Sequence, residues 1–240
     1  MFTSRINNHI SKLKRSNLIT DVVAKSLKNY NGISPRFYCL PKIHKPQLCM
    51  RPIVSSINSP NCNIARLLAN ILSTAFNHDN EINISDSFKF SDFINNFQLP
   101  FGFQVVSFDV VSLFTNLPLP VVLISLHNHW NQIEPHCPFG WETFVKLVKL
   151  VFDTNYLVFN DRFYLQILGT PIGSSVSPLL VGFVLDDLIV DKLRHLDYNI
   201  PFVKRYVDDL ILAVPTDQIT HTLSVFNEYN PHLQFTWRWR

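Results

Sequence analysis

The chain has 240 residues, of which 47% are hydrophobic, and this is enough apolar material for a sizeable folded core. Its net charge of +3 is uneven, since residues 1–66 carry eleven Lys and Arg against one acid, whereas the remainder carries ten basic and seventeen acidic residues. No membrane span or signal core is predicted, and four cysteines without paired metal-type spacing favour a reducing intracellular compartment.

The first half of the chain is predicted to be mainly helical, with one early hairpin. A helical segment near residues 8–28 precedes a proline-broken hairpin that carries Lys42 and Arg51 nine residues apart. That spacing could aim both cations at one anion, and the basic first quarter suits phosphate contacts. A solvated basic surface is the alternative for the other cations taken singly. Two more helices are expected near residues 61–76 and 87–97.

A buried strand is predicted over residues 104–108, with Asp109 at its exit, because β-branched and alternating apolar residues precede the acid. A carboxylate in such an apolar setting is costly unless it is paired or bound to a metal. Asp109 lies too far ahead of the helix that Pro118 and Pro120 open to cap it, and Asn116 is the better cap candidate.

The second half alternates predicted helices with hairpins. The hairpin over residues 156–166 is expected to turn at Asn160-Asp161, which tolerate the left-handed backbone of tight turns. The remaining predicted elements are helices near 119–131, 141–153, 174–195 and 216–228 and a strand over 233–236.

The tetrapeptide Tyr206-Val207-Asp208-Asp209 stands between two apolar runs and predicts a β-hairpin with acids at its tip. Val207 is a poor turn residue, because β-branched side chains fit tight-turn dihedrals badly. Adjacent anions repel unless a cation joins them, so a divalent metal is the natural partner. A solvated acidic turn is the alternative.

Five segments in this order resemble the reverse transcriptases of Penelope-like retroelements over roughly residues 30–236. They are Phe37-Tyr38-Cys39-Leu40-Pro41-Lys42-Ile43-His44-Lys45-Pro46, Arg51-Pro52-Ile53-Val54-Ser55, Phe108-Asp109-Val110-Val111-Ser112-Leu113-Phe114-Thr115-Asn116-Leu117-Pro118, Leu168-Gly169-Thr170-Pro171-Ile172-Gly173-Ser174-Ser175-Val176-Ser177-Pro178-Leu179, and Tyr206-Val207-Asp208-Asp209.

The resemblance implies an α+β fold of the right-hand polymerase type, with a ferredoxin-like antiparallel palm sheet and helices. Residues 1–103 would form an N-terminal region and fingers, and residues 104–240 the palm, with a fingers insertion at about 131–168. Related palms continue into an acidic stretch, a thumb and often a GIY-YIG nuclease. Because this sequence reads Trp237-Arg238-Trp239-Arg240 there, we expect a retroelement fragment without a thumb.

The implied activity is RNA-directed DNA synthesis by phosphoryl transfer with two Mg²⁺ ions, or Mn²⁺ in their place. Asp109, Asp208 and Asp209 would be the catalytic carboxylates and metal ligands, and Val110 would also belong to the metal site. The segment Leu185-Asp186-Asp187-Leu188 departs from the family, which usually has one acidic residue preceded by Met.

The resemblance also implies contacts to the nucleotide. Arg51, supported by Lys42, would hold the triphosphate. The Phe114 ring would exclude a ribose 2′-hydroxyl, although core packing is the alternative role, and Ile172 and Gly173 would contact the nucleotide. Template or primer contacts are implied for Pro171, Ser177 and Tyr206.

The expected partners are an RNA template, a DNA or RNA primer and deoxynucleoside triphosphates, with no membrane, in the nucleus rather than the cytoplasm. One alternative is a catalytically inactive nucleic-acid-binding remnant that uses the basic first quarter and stacking aromatics such as Phe37 and Tyr38. Another is a different metal-dependent phosphotransferase.

Overall fold

A computed structural model of the chain describes residues 2–43, 50–76, 80–84 and 86–239. The chain divides into two compact units. The first unit comprises Met1–Phe76 and Leu117–Val181, and the second comprises Asn77–Asn116 and Gly182–Arg240. The fingers and palm boundaries inferred from the sequence stay a prediction.

The helices and strands mix along the chain, as predicted. The helices are α1 Phe2–Arg15, α2 Asp21–Leu27, α3 Cys62–Ala75, α4 Ser87–Asn96, α5 Leu113–Asn116, α6 Leu119–Asn128, α7 Trp130–Ile133, α8 Trp141–Asp153, α9 Ser177–Arg194 and α10 Ile219–Asn227. The strands are β1 Arg36–Pro41, β2 Met50–Ser55, β3 Phe103–Val110, β4 Tyr156–Phe159, β5 Arg162–Leu165, β6 Val203–Tyr206, β7 Asp209–Pro215 and β8 Phe235–Trp239.

Two local predictions were wrong. The single helix expected near residues 8–28 is two helices, because Asn17 adopts a left-handed φ of 54° and Thr20 caps α2 by accepting from the Val23 N–H at 3.2 Å. Asn116 does not cap α6, whose N-cap is Pro118. The Asn116 amide instead donates to the Val111 carbonyl at 3.1 Å.

The first unit contains a sheet with the strand order β2-β1-β4-β5. Its two hairpins were predicted, and Asn160 and Asp161 turn the second one with φ values of 47° and 57°. The parallel pairing of β1 with β4 was not predicted. Residues 44–46 of the predicted fingers motif lie outside the described residues.

The core of the first unit is helical. Its most buried side chains include Leu68 and Leu72 of α3 and Phe144 and Leu147 of α8, each with 0% exposure. Burying one such side chain stabilises the fold by about 1.5–3 kcal/mol. The i, i+4 spacing within α3 and the i, i+3 spacing within α8 place these residues on one face of each helix.

The second unit is built on a βαββαβ arrangement of β3, α9, β6, β7, α10 and β8. Its sheet has the order β6-β7-β3-β8, and every neighbouring pair is antiparallel. This is the ferredoxin-like order that was predicted, and residues 117–176 of the first unit lie in the chain between β3 and α9.

One face of this second sheet is buried. Phe108, Leu210 and Leu212 are fully buried on it, and the Phe108 ring packs edge-on against Phe226 of α10 at 5.6 Å between centroids. Alternation along each strand therefore turns the intervening residues, Asp109 among them, to the opposite face.

Among the described residues, no helix is both long enough and apolar enough to cross a bilayer. Cys39, Cys62 and Cys137 are free thiols. Burial raises the pKa of the Cys137 thiol to about 11, so this side chain stays protonated at neutral pH.

Candidate functional site

Four side chains form a row across one end of the second unit's sheet. Asp109 on β3 lies directly opposite Asp209 on β7, Tyr206 on β6 lies opposite Asp209, and Thr236 on β8 lies opposite Asp109. Directly opposed residues of antiparallel strands project from the same face, with Cβ atoms about 4.5–5.5 Å apart. We call these four residues the acid row. Asp109 and Asp209 are half-buried, whereas Tyr206 and Thr236 are exposed.

The hairpin predicted around Tyr206-Val207-Asp208-Asp209 is present, because β6 ends at Tyr206 and β7 begins at Asp209. Val207 has a φ of 57°, in the left-handed region that a β-branched residue adopts at a cost of about 1–3 kcal/mol. Asp208 completes the two-residue turn beside the acid row. The turn therefore brings Asp208 to the end of the sheet that carries Asp109 and Asp209.

A cation from β8 reaches the acid row. Arg238 Nη2 lies 3.6 Å from Asp109 Oδ2, and the two side chains are 57% and 36% exposed. Exposed ion pairs contribute only about 0–1 kcal/mol. The Asp109 carboxylate thus has one weak ion-pair partner in Arg238.

Arg205 supports the turn through its side chain and is only 5% exposed. Its Nη1 donates to the Val207 carbonyl at 3.0 Å, and its Nη2 donates to Asp186 Oδ1 on α9 at 2.7 Å. The other carboxylate oxygen of Asp186 accepts from Asn80 Nδ2 at 3.3 Å. A buried ion pair therefore links the turn to α9.

The main chain of Arg205 is held as well. Its N–H donates to the Ile82 carbonyl at 2.7 Å, and its carbonyl accepts from the Ile84 N–H at 2.9 Å. The neighbouring Lys204 ammonium donates to the Glu81 carbonyl at 2.6 Å. Sequence reasoning missed Arg205, although an arginine within a strand that precedes a long apolar run can signal that a partner for its charge is needed.

The exposed Tyr206 ring borders a cavity of about 350 Å³ on the face of the acid row. Ile84, Asp86, Ser87, Phe90 and Ile211 complete the lining. An aromatic ring beside an open, largely apolar space can stack on a base, so the predicted contact of Tyr206 with nucleic acid is geometrically feasible.

The donor set of the acid row suits a hard divalent cation. Asp109 and Asp209 are like charges placed directly opposite each other, an arrangement that is unfavourable unless a cation lies between them. Mg²⁺ prefers oxygen ligands and usually combines one or two carboxylates with substrate phosphates. Within the described residues, no three His, Cys, Asp or Glu side chains are gathered into a ready-made metal group. The chemistry and opposition of Asp109 and Asp209 thus suit a hard cation, and the binding of the predicted ions at Asp109, Asp208 and Asp209 stays a prediction.

Val110 and Phe114 follow Asp109 closely. Val110 is 4% exposed and lies on the buried face of the sheet, so it could offer a metal only its main-chain oxygen. Phe114 lies in α5, five residues after Asp109, and is half-buried. Its ring therefore retains some access to solvent, and its proposed contact with the sugar stays a prediction.

The predicted phosphate-binding residues belong to the first unit. Arg51 lies opposite Leu40 in the β1–β2 hairpin and is exposed, whereas Lys42 follows β1 and is half-buried. In the described part of the chain, neither side chain has a hydrogen-bond or ion-pair partner, so both cations are available to an anion.

The loop before α9 packs against β2 in the first unit. The Ile172 carbonyl accepts from the Val54 N–H at 3.0 Å. Gly173 has a φ of 125°, and a Cβ at this position would collide with the Val54 carbonyl oxygen. The glycine is thus explained by close approach to the protein's own backbone.

Pro171 and Ser177, predicted to contact nucleic acid, are both buried. The Ser177 hydroxyl pairs with the Thr170 hydroxyl. These two assignments stay predictions, and in this structure neither side chain is presented to solvent.

A comparison by sequence finds no matching protein-family model and no matching curated protein. Solved structures do match. The chain is similar to telomerase from Candida albicans in complex with a fragment of telomeric RNA, with a TM-score of 0.59, 14% identity and coverage of 98% of this chain and 45% of that one. It is also similar to apo telomerase from Candida tropicalis truncated from its C-terminal domain, with a TM-score of 0.61 and 11% identity over 84% of this chain and 48% of that one.

The RNA polymerase complex inside a double-stranded RNA virus is a third match, with a TM-score of 0.63 and 12% identity over 98% of this chain and 22% of that one. The chain therefore spans less than half the length of each of these proteins. At this identity the likeness establishes a shared fold, namely one found in telomerase and in a viral RNA polymerase.

Proposed function

We propose that the chain is the RNA-directed DNA polymerase domain of a Penelope-like retroelement. The observation that carries this proposal is the opposition of Asp109 and Asp209 on an open sheet face, with Asp208 at the adjoining turn. The fold shared with telomerase and the five ordered sequence segments support the same function.

The reaction would join a primer 3′-hydroxyl oxygen to the α-phosphorus of a deoxynucleoside triphosphate. The bond from that phosphorus to the leaving pyrophosphate breaks, and the hydroxyl proton passes to solvent. Positioning and charge neutralisation supply most of the catalysis in such transfers. The carboxylates of Asp109, Asp208 and Asp209 would hold the metal ions next to the reacting oxygens. When bound, Mg²⁺ would stabilise negative charge on the attacking and leaving oxygens.

The other proposed roles come from the family resemblance and agree with the chemistry of these side chains. Arg51 and Lys42 in the first unit would bind the triphosphate through charge-assisted hydrogen bonds. Phe114 would select deoxynucleotides, since its ring would clash with a ribose 2′-hydroxyl and offer it no hydrogen bond. The partners would be an RNA template and a DNA or RNA primer, met in the nucleus.

Primer extension on an RNA template with Mg²⁺ and deoxynucleotides tests this function. We expect the wild-type chain to extend the primer, and Asp208→Asn to lower the rate about 100-fold or more, because a charge at the reacting centre is lost. Asp217→Asn is the matched control, since this exposed acid of the second unit lies outside the acid row and the turn.

Binding of Mn²⁺, followed by electron paramagnetic resonance, provides a second readout. The wild type and Asp217→Asn should bind the ion, whereas Asp109→Asn should bind it much more weakly. If the wild type extends a primer no better than Asp208→Asn, and all variants bind Mn²⁺ alike, the polymerase proposal fails. Retained RNA binding in that case would identify a catalytically inactive nucleic-acid-binding remnant.

A further inference from the structure

We infer that Arg205 is a positioning residue, which holds Val207 in its left-handed conformation within the Val207–Asp208 turn and thereby places the carboxylates of Asp208 and Asp209. Its link to α9 through Asp186 makes this helix part of the support. The catalytic consequence rests on the proposed polymerase function, whereas the conformational role of Arg205 does not.

The turn needs an external restraint because its own sequence opposes its shape. Val207 has a φ of 57°, and β-branched residues reach this region only when the surroundings impose it. Its side chain is 49% exposed, so packing against a core does not hold it in place. A turn free to relax would move Asp208, which directly follows Val207.

A single guanidinium supplies the restraint through two donors. Nη1 donates to the Val207 carbonyl at 3.0 Å, while Nη2 donates to Asp186 Oδ1 at 2.7 Å. The planar guanidinium fixes the angle between these bonds, which a lysine ammonium at the end of a flexible chain does not. The Val207 carbonyl is therefore held at a set position relative to Asp186.

Both ends of this link are themselves fixed. Asp186 is anchored in α9, and its second oxygen accepts from Asn80 Nδ2 at 3.3 Å. The Arg205 main chain bonds in both directions to the segment over residues 80–84, through Ile82 at 2.7 Å and Ile84 at 2.9 Å. A displacement of the turn would therefore break contacts on α9, on β6 and on the 80–84 segment together.

The ion pair is a poor device for stability alone. The Arg205 and Asp186 side chains are only 6% and 16% exposed, so both charges are largely desolvated. Arg205 Nε is buried without a hydrogen-bond partner among the described residues, which adds a further cost. Replacing such pairs with apolar residues is often neutral or stabilising. We therefore assign the ion pair the role of fixing the geometry of the turn.

Two variants and one control separate positioning from general stability. Arg205→Lys keeps the positive charge but removes the planar guanidinium with its two donors. Asp186→Asn keeps the side-chain shape but removes the ion pair. Tyr198→Phe is the control, because it removes a hydrogen bond of 2.8 Å to Thr222 within the same unit, away from the turn.

Hydrogen exchange of the metal-free protein, read by mass spectrometry over residues 205–210, tests the conformational role. We expect both variants to exchange these amides about tenfold faster or more, because a charged hydrogen bond is lost, while Tyr198→Phe exchanges them at the wild-type rate. Wild-type exchange at the turn in both Arg205→Lys and Asp186→Asn would overturn the inference.

Mn²⁺ affinity and the Mg²⁺ dependence of primer extension then test the catalytic consequence. Arg205→Lys should bind Mn²⁺ about tenfold more weakly, and its extension should recover in part at high Mg²⁺, as expected for a group that orients ligands. If a variant exchanges the turn amides faster but binds Mn²⁺ with unchanged affinity, the inference that Arg205 places the carboxylates of Asp208 and Asp209 is overturned. If the wild type neither binds Mn²⁺ nor extends a primer, the proposed function fails, and the exchange measurement still decides the role of Arg205.

Discussion

The two sheets of the molecule differ in how firmly they hold their charged residues. In the first unit, all four residues of β5 and most of β1 are exposed, and Arg51 stands on β2 with no side-chain partner in the described residues. In the second unit, the acid row lies over a fully buried face that includes Phe108 and Leu210. Cations that neutralise phosphates tolerate freedom of movement, whereas carboxylates that place reacting atoms need a rigid support.

This contrast predicts different consequences for changes in the two units. Substitutions in the acid row should affect turnover, and substitutions of the exposed cations should affect nucleotide binding.

Gly173→Ala tests whether the first unit also depends on close backbone packing. We expect it to lower the free energy of unfolding by about 2 kcal/mol or more, because the positive φ and the contact with the Val54 carbonyl both disfavour a Cβ. Chemical denaturation measures the loss. Gly140→Ala is the control, since a Cβ there meets nothing within 4 Å, and its effect should stay below about 1 kcal/mol. Equal effects of the two substitutions would contradict the packing argument.

Arg51→Gln tests the phosphate-binding role assigned to the exposed sheet. The KM for deoxynucleotides should rise about tenfold with a smaller change in kcat, since a charge-assisted contact made before and during reaction is lost. Steady-state primer extension measures both constants. Arg36→Gln, at the other end of the same hairpin, should leave KM unchanged, and a matching rise there would point to general electrostatics instead.

Phe114→Ala tests whether the second unit selects the sugar. Ribonucleotide incorporation relative to deoxynucleotide incorporation should increase by roughly tenfold or more, because the steric exclusion is removed. Competition assays with both nucleotides measure the ratio. Phe101→Ala serves as the control, since that ring is fully exposed in the same unit. Equal exclusion by wild type and Phe114→Ala would leave core packing as the role of this ring.

Arg238→Gln tests the weak ion pair at the acid row. Removing a cation 3.6 Å from Asp109 should strengthen Mn²⁺ binding by about twofold to fivefold, as expected for loss of an exposed competitor charge. Titration followed by electron paramagnetic resonance measures the change. Arg194→Gln removes the same charge from the exposed end of α9 and should have no effect. Weaker binding in Arg238→Gln would mean that this arginine assists the metal.

The sequence predicted the elements whose signals are local. The hairpin at Asn160-Asp161, the long helix α9 and the acidic hairpin all depend on turn chemistry or periodicity within a short window, and each is present. The pairing of Asp109 with this hairpin came from the family resemblance, because the residues concerned are about a hundred positions apart.

The features that were missed depend on distant partners. The segment that contains Asp186 departs from the family pattern, but neither this segment nor the one around Arg205 predicts the ion pair between them. The close approach of Gly173 to Val54 was not predicted, and the contact of this glycine with nucleotide or template stays a prediction. The break at Asn17 is a different case. A left-handed asparagine followed by a Thr cap is a local signal of a helix end, but the helical periodicity of the segment was given more weight in the prediction.

The register of the second sheet also determines when the site can form during protein synthesis. β3 pairs on one side with β7 and on the other with β8, so the strand that carries Asp109 gains both neighbours only after residues up to 239 have left the ribosome. Contacts of such long sequence separation form slowly, and the apolar side chains of β3 are open to wrong partners in the meantime. We therefore expect nascent chains that end before β7 to depend on chaperones, whichever chemistry the finished protein performs.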